Sequence, residues 1–476
     1  MVVLTAGSMV TLGPGIALAD GYGHGPGRGQ AKGATATGGS ALVEDAFQQN
    51  TAQEARQNNN CADLNPTPGG VNLTGGRADA RCATDDESFN HKAWVQGGGA
   101  EANGGSSSEG TLVQQNTAQQ GRQNNNCANP NAVFFGVTGG RLEVQCADKD
   151  KSVNKHTWYK GGGAAANGGS GAATAFQQNT AQEGRQNNNC ANGNNEVVDL
   201  DGGRLDARCR NKDGSINKDS GFKGGGAEAN GGSSESALVQ QNLAQEGRQN
   251  INCATPNTTE VSLSGHRAEA HCGNKDDSFN RKAVVKGGGA EANGGSAPTE
   301  VFQQNVAQEG RQNINCANPN GFEVEATGSR DRAHCWHKDK SFNHKTFVKG
   351  GGAEANGGSG ALDDFGQQNV AQEGRQNSNC ANPNGGEVEL AGSRRDVKCG
   401  AVDKSTNVRT KEIGGGAEAD GGSGELGLFQ QNVAQEGRQN NNCGNPNNLD
   451  VVASGSRTSA QCLAVDESIS IDSVYR

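Results

Sequence analysis

The chain has 476 residues, of which 32% are hydrophobic, 4% are aromatic and 75 are glycine, with a formal net charge of −10. So little apolar content excludes an ordinary globular core, and the acidic balance opposes electrostatic binding of nucleic acid, which needs a basic footprint. Lys and Arg lie scattered between acidic residues, which reads as a mixed, solvated surface.

Residues 1–19 read as a signal peptide. An apolar run from Met9 ends in Ala17-Leu18-Ala19 before Asp20, the Ala-x-Ala pattern of a signal-peptidase site. No Lys or Arg precedes it, so the true start codon is expected upstream of Met1. A secreted, extracellular or cell-surface location follows from this reading. No later stretch is long and apolar enough to form a membrane-spanning helix. Residues 20–40 are Gly-rich and are expected to form a flexible lead-in.

From residue 41 onward the chain repeats itself. A Gln/Asn-rich block, seen in Val239-Gln240-Gln241-Asn242-Leu243-Ala244-Gln245-Glu246-Gly247-Arg248-Gln249-Asn250-Ile251-Asn252-Cys253, ends at Cys61, Cys127, Cys190, Cys253, Cys316, Cys380 and Cys443, in steps of 66, 63, 63, 63, 64 and 63 residues. A fixed period of this length marks a repeat architecture. Seven modules follow, at 41–106, 107–170, 171–233, 234–296, 297–359, 360–423 and 424–476. A unit of about 60 residues is marginal alone, so each module must be cross-linked or stacked on its neighbours, unless it is largely disordered.

Each module has three segments. In the Gln/Asn block the spacing fits both a strand and a helix. Asn and Gly inside every block disfavour helix, and stacked Gln and Asn can ladder between identical strands, so a strand is expected, bent at Glu-Gly-Arg. The second segment, Glu196 to Cys209, alternates apolar and polar residues on both sides of Gly202-Gly203, the pattern of a β-hairpin. The third runs through Lys-Asp-x-Ser-Phe-Asn or a variant to a short strand such as Lys282 to Lys286. It then enters Gly287-Gly288-Gly289-Ala290-Glu291-Ala292-Asn293-Gly294-Gly295-Ser296. That string is either a flexible linker or an ordered corner that only glycine permits.

The fourteen cysteines fall two per module, 21 residues apart in the first and 19 in the others. Even numbers at regular spacing in an exported chain read as a disulfide framework. Proximity within the module selects Cys61–Cys82, Cys127–Cys146, Cys190–Cys209, Cys253–Cys272, Cys316–Cys335, Cys380–Cys399 and Cys443–Cys462; other connectivities stay compatible with the spacing. Zinc is disfavoured, because no Cys-x-x-Cys pair exists and two cysteines do not complete a four-ligand site.

The fold class is therefore a mainly β repeat protein of seven modules, each holding a Gln/Asn strand and a disulfide-closed β-hairpin. The modules either stack as a β-solenoid, with three coils per module or one stacked unit per module, or stand apart as flexible beads on a string. Stacking would give a thin, elongated body.

The spacing Gln245-x-Gly247-x-x-Asn250 preceded by Asn242-x-Ala244 resembles the curlin repeat, and Gln182-x-Gly184-x-x-Asn187 and Gln308-x-Gly310-x-x-Asn313 repeat it. The first module carries Ala55 where the pattern has Gly, and the Ala after the second Asn is missing throughout. The resemblance implies stacked strands and a role in a secreted bacterial surface fibre.

Catalytic chemistry finds no support. His334-Cys335-Trp336-His337, with His271 and His344, is the densest set of metal-type ligands, but it occurs in one module of seven. Asp148-x-Asp150 and Asn211-x-Asp213-Gly214 lack the remaining oxygen ligands of a calcium loop and read as turns. The expectation is no enzyme, no cofactor and no metal. Two functions remain: a structural protein of the bacterial surface or extracellular matrix whose partner is itself, and a multivalent adhesin for cell-wall or extracellular polysaccharide. Nucleic acid and a membrane span are not expected; a disulfide-knotted flexible spacer is the third option.

Overall fold

The computed structural model describes residues 28–30, 34–37 and, with short gaps, 45–475. Every regular element among the described residues is a β-strand, and no helix occurs. The Gln/Asn block is one 16-residue strand in Ala175–Cys190, Leu238–Cys253, Val301–Cys316, Phe365–Cys380 and Leu428–Cys443. In the first two copies the described parts of the block are the strands Asp45–Glu54 with Gln57–Cys61 and Thr111–Gln120 with Gln123–Cys127.

Each block is followed by shorter strands. After Ala175–Cys190 come Asn194–Asp201, Arg204–Asp213, Ile216–Lys218, Gly221–Lys223, Ala227–Asn230 and Ser233–Ser234. None of these pairs with the strand next to it in sequence. Each pairs in parallel with its counterpart one period away, so the described strands form seven parallel sheets. Gln182 lies beside Gln245, which lies beside Gln308, and Cys209 lies beside Cys272.

This register corrects three expectations. Asn194–Asp201 and Arg204–Asp213 do not form a hairpin: they belong to different sheets. The bend at Gly202, with φ of 60°, turns the chain from one sheet into the next. Both edges of each inner strand are occupied by its copies, which leaves no edge for a hairpin partner. The three-coil option fails too, because pairing steps by a whole period and never by a third of one. Seven strands at ~4.8 Å spacing make a stack only about 30 Å deep, not an elongated body.

The lead-in expectation is corrected for two stretches. Arg28–Gln30 pairs with Trp94–Gln96, and Ala34–Thr37 with Ala100–Asn103. Residues 28–40 read Arg-Gly-Gln-Ala-Lys-Gly-Ala-Thr-Ala-Thr-Gly-Gly-Ser, a degenerate copy of 94–106, Trp-Val-Gln-Gly-Gly-Gly-Ala-Glu-Ala-Asn-Gly-Gly-Ser. Residues 1–19, proposed as the signal peptide, lie outside the described residues.

The glycine string is ordered. Ala227–Asn230 and Ala290–Asn293 are paired strands, and Gly226 and Gly289 have φ of 104° and 105°, a region that favours glycine. A Cβ on Gly288 would lie 2.4 Å from the backbone nitrogen of Gly226, so one glycine corner sits directly on the next. A second corner recurs between the two short strands of the third segment, where His156, Asp219, Lys282, Lys345 and Arg409 all have φ near 50°.

The interior explains how 32% hydrophobic residues suffice. One apolar cluster of the described residues is alanine: Ala181, Ala244 and Ala307 of the Gln/Asn strands pack on Ala227, Ala229, Ala290 and Ala292 of the glycine-string strands. Side chains this small bring the sheets close together. Leu243, Val306 and Val370 add a short aliphatic column. The rest of the buried volume is largely Asn, Gln, Ser and Asp.

Candidate functional site

The Gln/Asn block alternates its side chains between two faces, as a strand must, and both faces are buried: Gln240, Gln241, Asn242, Leu243, Ala244, Gln245 and Glu246 are all enclosed. Its copies stand in register, so each buried amide meets the same amide on the neighbouring strand. Asn242 Nδ2 donates to Asn305 Oδ1 at 2.8 Å, and Gln245 Nε2 to Gln308 Oε1 at 2.8 Å. Other amides donate the opposite way along the stack: Gln240 to Gln177 at 2.7 Å, Gln249 to Gln186 at 3.0 Å, and Asn250 to Asn187 at 2.9 Å. A further column runs through the third segment, Asn154 to Asn217 to Asn280 to Asn343 to Asn407, at 2.9–3.0 Å.

These amides also tie the sheets together. Asn242 donates to the carbonyl of Asn293 in the glycine-string strand at 2.9 Å, while Gln249 donates to that of Lys275 at 3.1 Å. The amides therefore do what a hydrophobic core does elsewhere. Each satisfied bond contributes about 1 kcal/mol net, and a buried group left unmade costs more.

Disulfides fasten two of these sheets across the interior. Cys253 is bonded to Cys272, and Cys316 to Cys335. Cys146, Cys209, Cys399 and Cys462 are also disulfide-bonded. Both cysteine positions stack in register from copy to copy, so the bridges form a column parallel to the amide ladders.

A buried carboxyl column was not foreseen from the sequence. Glu183, Glu246, Glu309 and Glu373 are stacked in register and almost fully buried. Each accepts a backbone N–H of the glycine corner: Gly225 to Glu183 at 2.7 Å, Gly288 to both oxygens of Glu246 at 2.6 and 2.7 Å, Gly351 to Glu309, and Gly416 to Glu373. Burial, reinforced by the Glu183 carboxyl, holds Glu246 well above the ordinary carboxylate range. Burial, followed by the Glu246 and Glu373 carboxyls, pushes Glu309 up to about 9. The available sequence signal was the Glu-Gly-Arg recurring beside a glycine string of constant length. Outside this column a groove of about 720 Å³ runs along the corner, floored by paired glycines and rimmed by Glu101, Glu228, Glu291, Glu354 and Glu418.

The reading of Lys and Arg as scattered is corrected. Segments 141–160, 204–223, 267–286, 330–349 and 394–413 hold 28 of the 42 Lys and Arg but only 14 of the 52 Asp and Glu. Parallel register turns these into columns, among them Lys155, Lys218 and Arg281, and Lys160, Lys223, Lys286 and Lys349. Several of the acids in these segments turn inward. Asp150, Asp213, Asp276, Asp339 and Asp403 are buried and accept the N–H of the serine two residues on. A chain that is acidic overall thus carries one basic outer face.

The His cluster does not converge. Cys335 is in a disulfide, and along its strand the flanking positions alternate sides. His337 is fully buried with Nε2 2.9 Å from the Asn377 carbonyl, and burial pushes its ring down to about 4. His334 is on the outside, where its ring lies 5.8 Å from that of His271. Asp150 and Asp213 hold turns, as described above, and Asn211 donates to the Asn250 carbonyl at 3.1 Å.

No family model matches the chain, and no curated protein and no solved structure is found similar to it.

Proposed function

We propose that this is a secreted structural protein of the bacterial surface or extracellular matrix, and that it assembles with copies of itself. In this reading each module is one coil of a parallel β-solenoid, closed by one disulfide, and the seven coils stack along a single axis. The observation that carries the proposal is the set of continuous buried amide columns. Such ladders are the chemistry of stacked fibres, they need no ligand, and they extend by adding an identical coil. Arg457–Asp466 and Ile469–Ile471 end their sheets among the described strands and expose Leu463, Ile469 and Ile471 at 50–58%. The resemblance of the Gln/Asn blocks to curlin repeats points the same way.

Electron microscopy of the oxidised protein after quiet incubation tests this. One chain contributes only ~30 Å along the axis at ~4.8 Å per strand, so filaments many times that length mean self-assembly. Particles that stay at the single-chain depth would sink the proposal.

The second reading is a polysaccharide-binding adhesin. Trp94 and Trp158 favour it: they pair in register and are 40% and 50% exposed, as aromatic platforms for a sugar chain would be. Retention on cell-wall polysaccharide that disappears in the Trp94→Ala, Trp158→Ala double variant would support it.

A further inference from the structure

Two columns of opposite charge lie on neighbouring sheets. Lys160, Lys223, Lys286 and Lys349 stack in register at the ends of the short strands before the glycine corner. Glu228, Glu291, Glu354 and Glu418 stack in register just after it, on a different sheet. All four lysines are exposed, as are Glu228, Glu354 and Glu418, with Glu291 half-exposed. Several other charges are neutralised within the chain. Arg204 and Arg267 both reach Glu269, Arg208 holds Asp206, and Arg394 holds Asp396.

These two columns have no such partners. Among the described residues none of the four lysines and none of the four glutamates is in an ion pair; Glu228, Glu291 and Glu354 accept only a neighbouring Asn amide. Like charges directly opposite one another in a sheet repel, so each column carries an unrelieved cost along its length. Both belong to the same stack, so both have the same strand spacing. A lysine column on one copy therefore matches a glutamate column on another at every rung, which no unrelated polyion would do by construction.

We propose that the lysine column of one copy docks against the glutamate column of a second copy, joining stacks side by side. The proposal rests on the self-assembly reading above and adds the lateral contact to it. It concerns the outer faces, whereas growth along the axis uses backbone edges and buried amides, so the two fail separately.

The test uses the oxidised full chain and two quadruple variants. One carries Glu228→Lys, Glu291→Lys, Glu354→Lys and Glu418→Lys; the other carries Lys160→Glu, Lys223→Glu, Lys286→Glu and Lys349→Glu. Circular dichroism first establishes that both keep the β signal of the parent. Side-by-side association is read by light scattering and by particle width in micrographs. The parent is expected to associate at low ionic strength and to lose this at least ~10-fold in about 0.5 M NaCl, where screening cuts exposed pairs. Each variant alone stays unassociated, and mixing the two restores association. A mixture that stays apart overturns the proposal, as does parent association indifferent to salt. Long single filaments without lateral pairing overturn this inference and leave the self-assembly reading standing. Salt-sensitive pairing without filaments supports this inference and removes axial growth. Heparin captured by the lysine face, with no pairing of copies, overturns it and assigns the column to an anionic polysaccharide.

Discussion

Asn250 donates its side-chain N–H to the side-chain oxygen of Asn187 at 2.9 Å, across 63 residues of sequence. The same amide reaches the carbonyls of Glu183 at 2.9 Å and Gln245 at 3.2 Å, and its oxygen accepts from Asn313 at 3.0 Å. One side chain thus joins three adjacent strands.

Asn250→Ala should therefore destabilise by about 3 kcal/mol, since several buried partners lose their bonds at once. Asn250→Asp should cost more, because a carboxylate cannot donate and would be buried without a cation. Chemical denaturation read by circular dichroism gives both values; a change under about 0.5 kcal/mol, the size of an ordinary surface substitution, would contradict the ladder.

Gly288 and Gly214 give a matched comparison. A Cβ on Gly288 meets backbone at 2.4 Å, whereas one on Gly214 meets nothing closer than 3.7 Å. Gly288→Ala should cost about 3 kcal/mol or more as an overpacking change, and Gly214→Ala should lie within about 0.5 kcal/mol of the parent. Thermal melts of the two variants side by side check this.

Glu309 makes stability depend on pH in the alkaline direction. Its carboxyl is raised from 4.5 to about 9, so the folded chain holds the proton more tightly than the unfolded one. The associated stability is fully present below pH 4.5 and is lost as pH rises through about 9. Glu309→Gln copies the natural Gln120, which stands in register beside Glu183. The variant should match the parent near pH 4.5 and exceed it by at least about 1 kcal/mol at pH 9, measured as denaturation midpoints at both values.

His337 acts at the other end of the scale. Its ring is lowered from 6.5 to about 4 by burial, so its contribution is present above pH 6.5 and is lost as pH falls through about 4. Asn211 and Asn274 occupy the same register position in earlier copies. His337→Asn should therefore fold normally and resist acid better, by about 1–2 kcal/mol near pH 4.5. Equal acid midpoints for variant and parent would remove the role given to His337.

The bond between Cys253 and Cys272 closes a loop with a sequence separation of 19. Replacing both by Ser should cost about 3 kcal/mol on the chain-entropy account. Limited proteolysis should then cut first between these two residues, and a digestion pattern identical to the parent's would count against the bridge as a fastener.

Much of the local structure was legible in the sequence. The cysteine spacing gave the period, Asn and Gly inside each block favoured strand over helix, and two cysteines per module gave a bond that Cys253–Cys272 and Cys316–Cys335 form. The copy at residues 28–40 was legible too, but its Arg28 and Thr35 stand where Trp94 and Glu101 stand in the next, and that divergence hid it. What the sequence did not decide was the direction of pairing. Alternation around Gly202-Gly203 suits a hairpin and two separate parallel sheets equally, because side-chain alternation reports which face is buried and not which strand lies alongside. Only the tertiary structure placed Gln182 beside Gln245 instead of folding the chain back on itself. Once that register was set, residues far apart in sequence became nearest neighbours. Scattered lysines became the column from Lys160 to Lys349, and the recurring Glu183, Glu246, Glu309 and Glu373 became a buried line of carboxyls. Charge and hydrogen bonding depend on distance in space, and in this chain that distance is fixed by a stacking step that local sequence patterns do not encode.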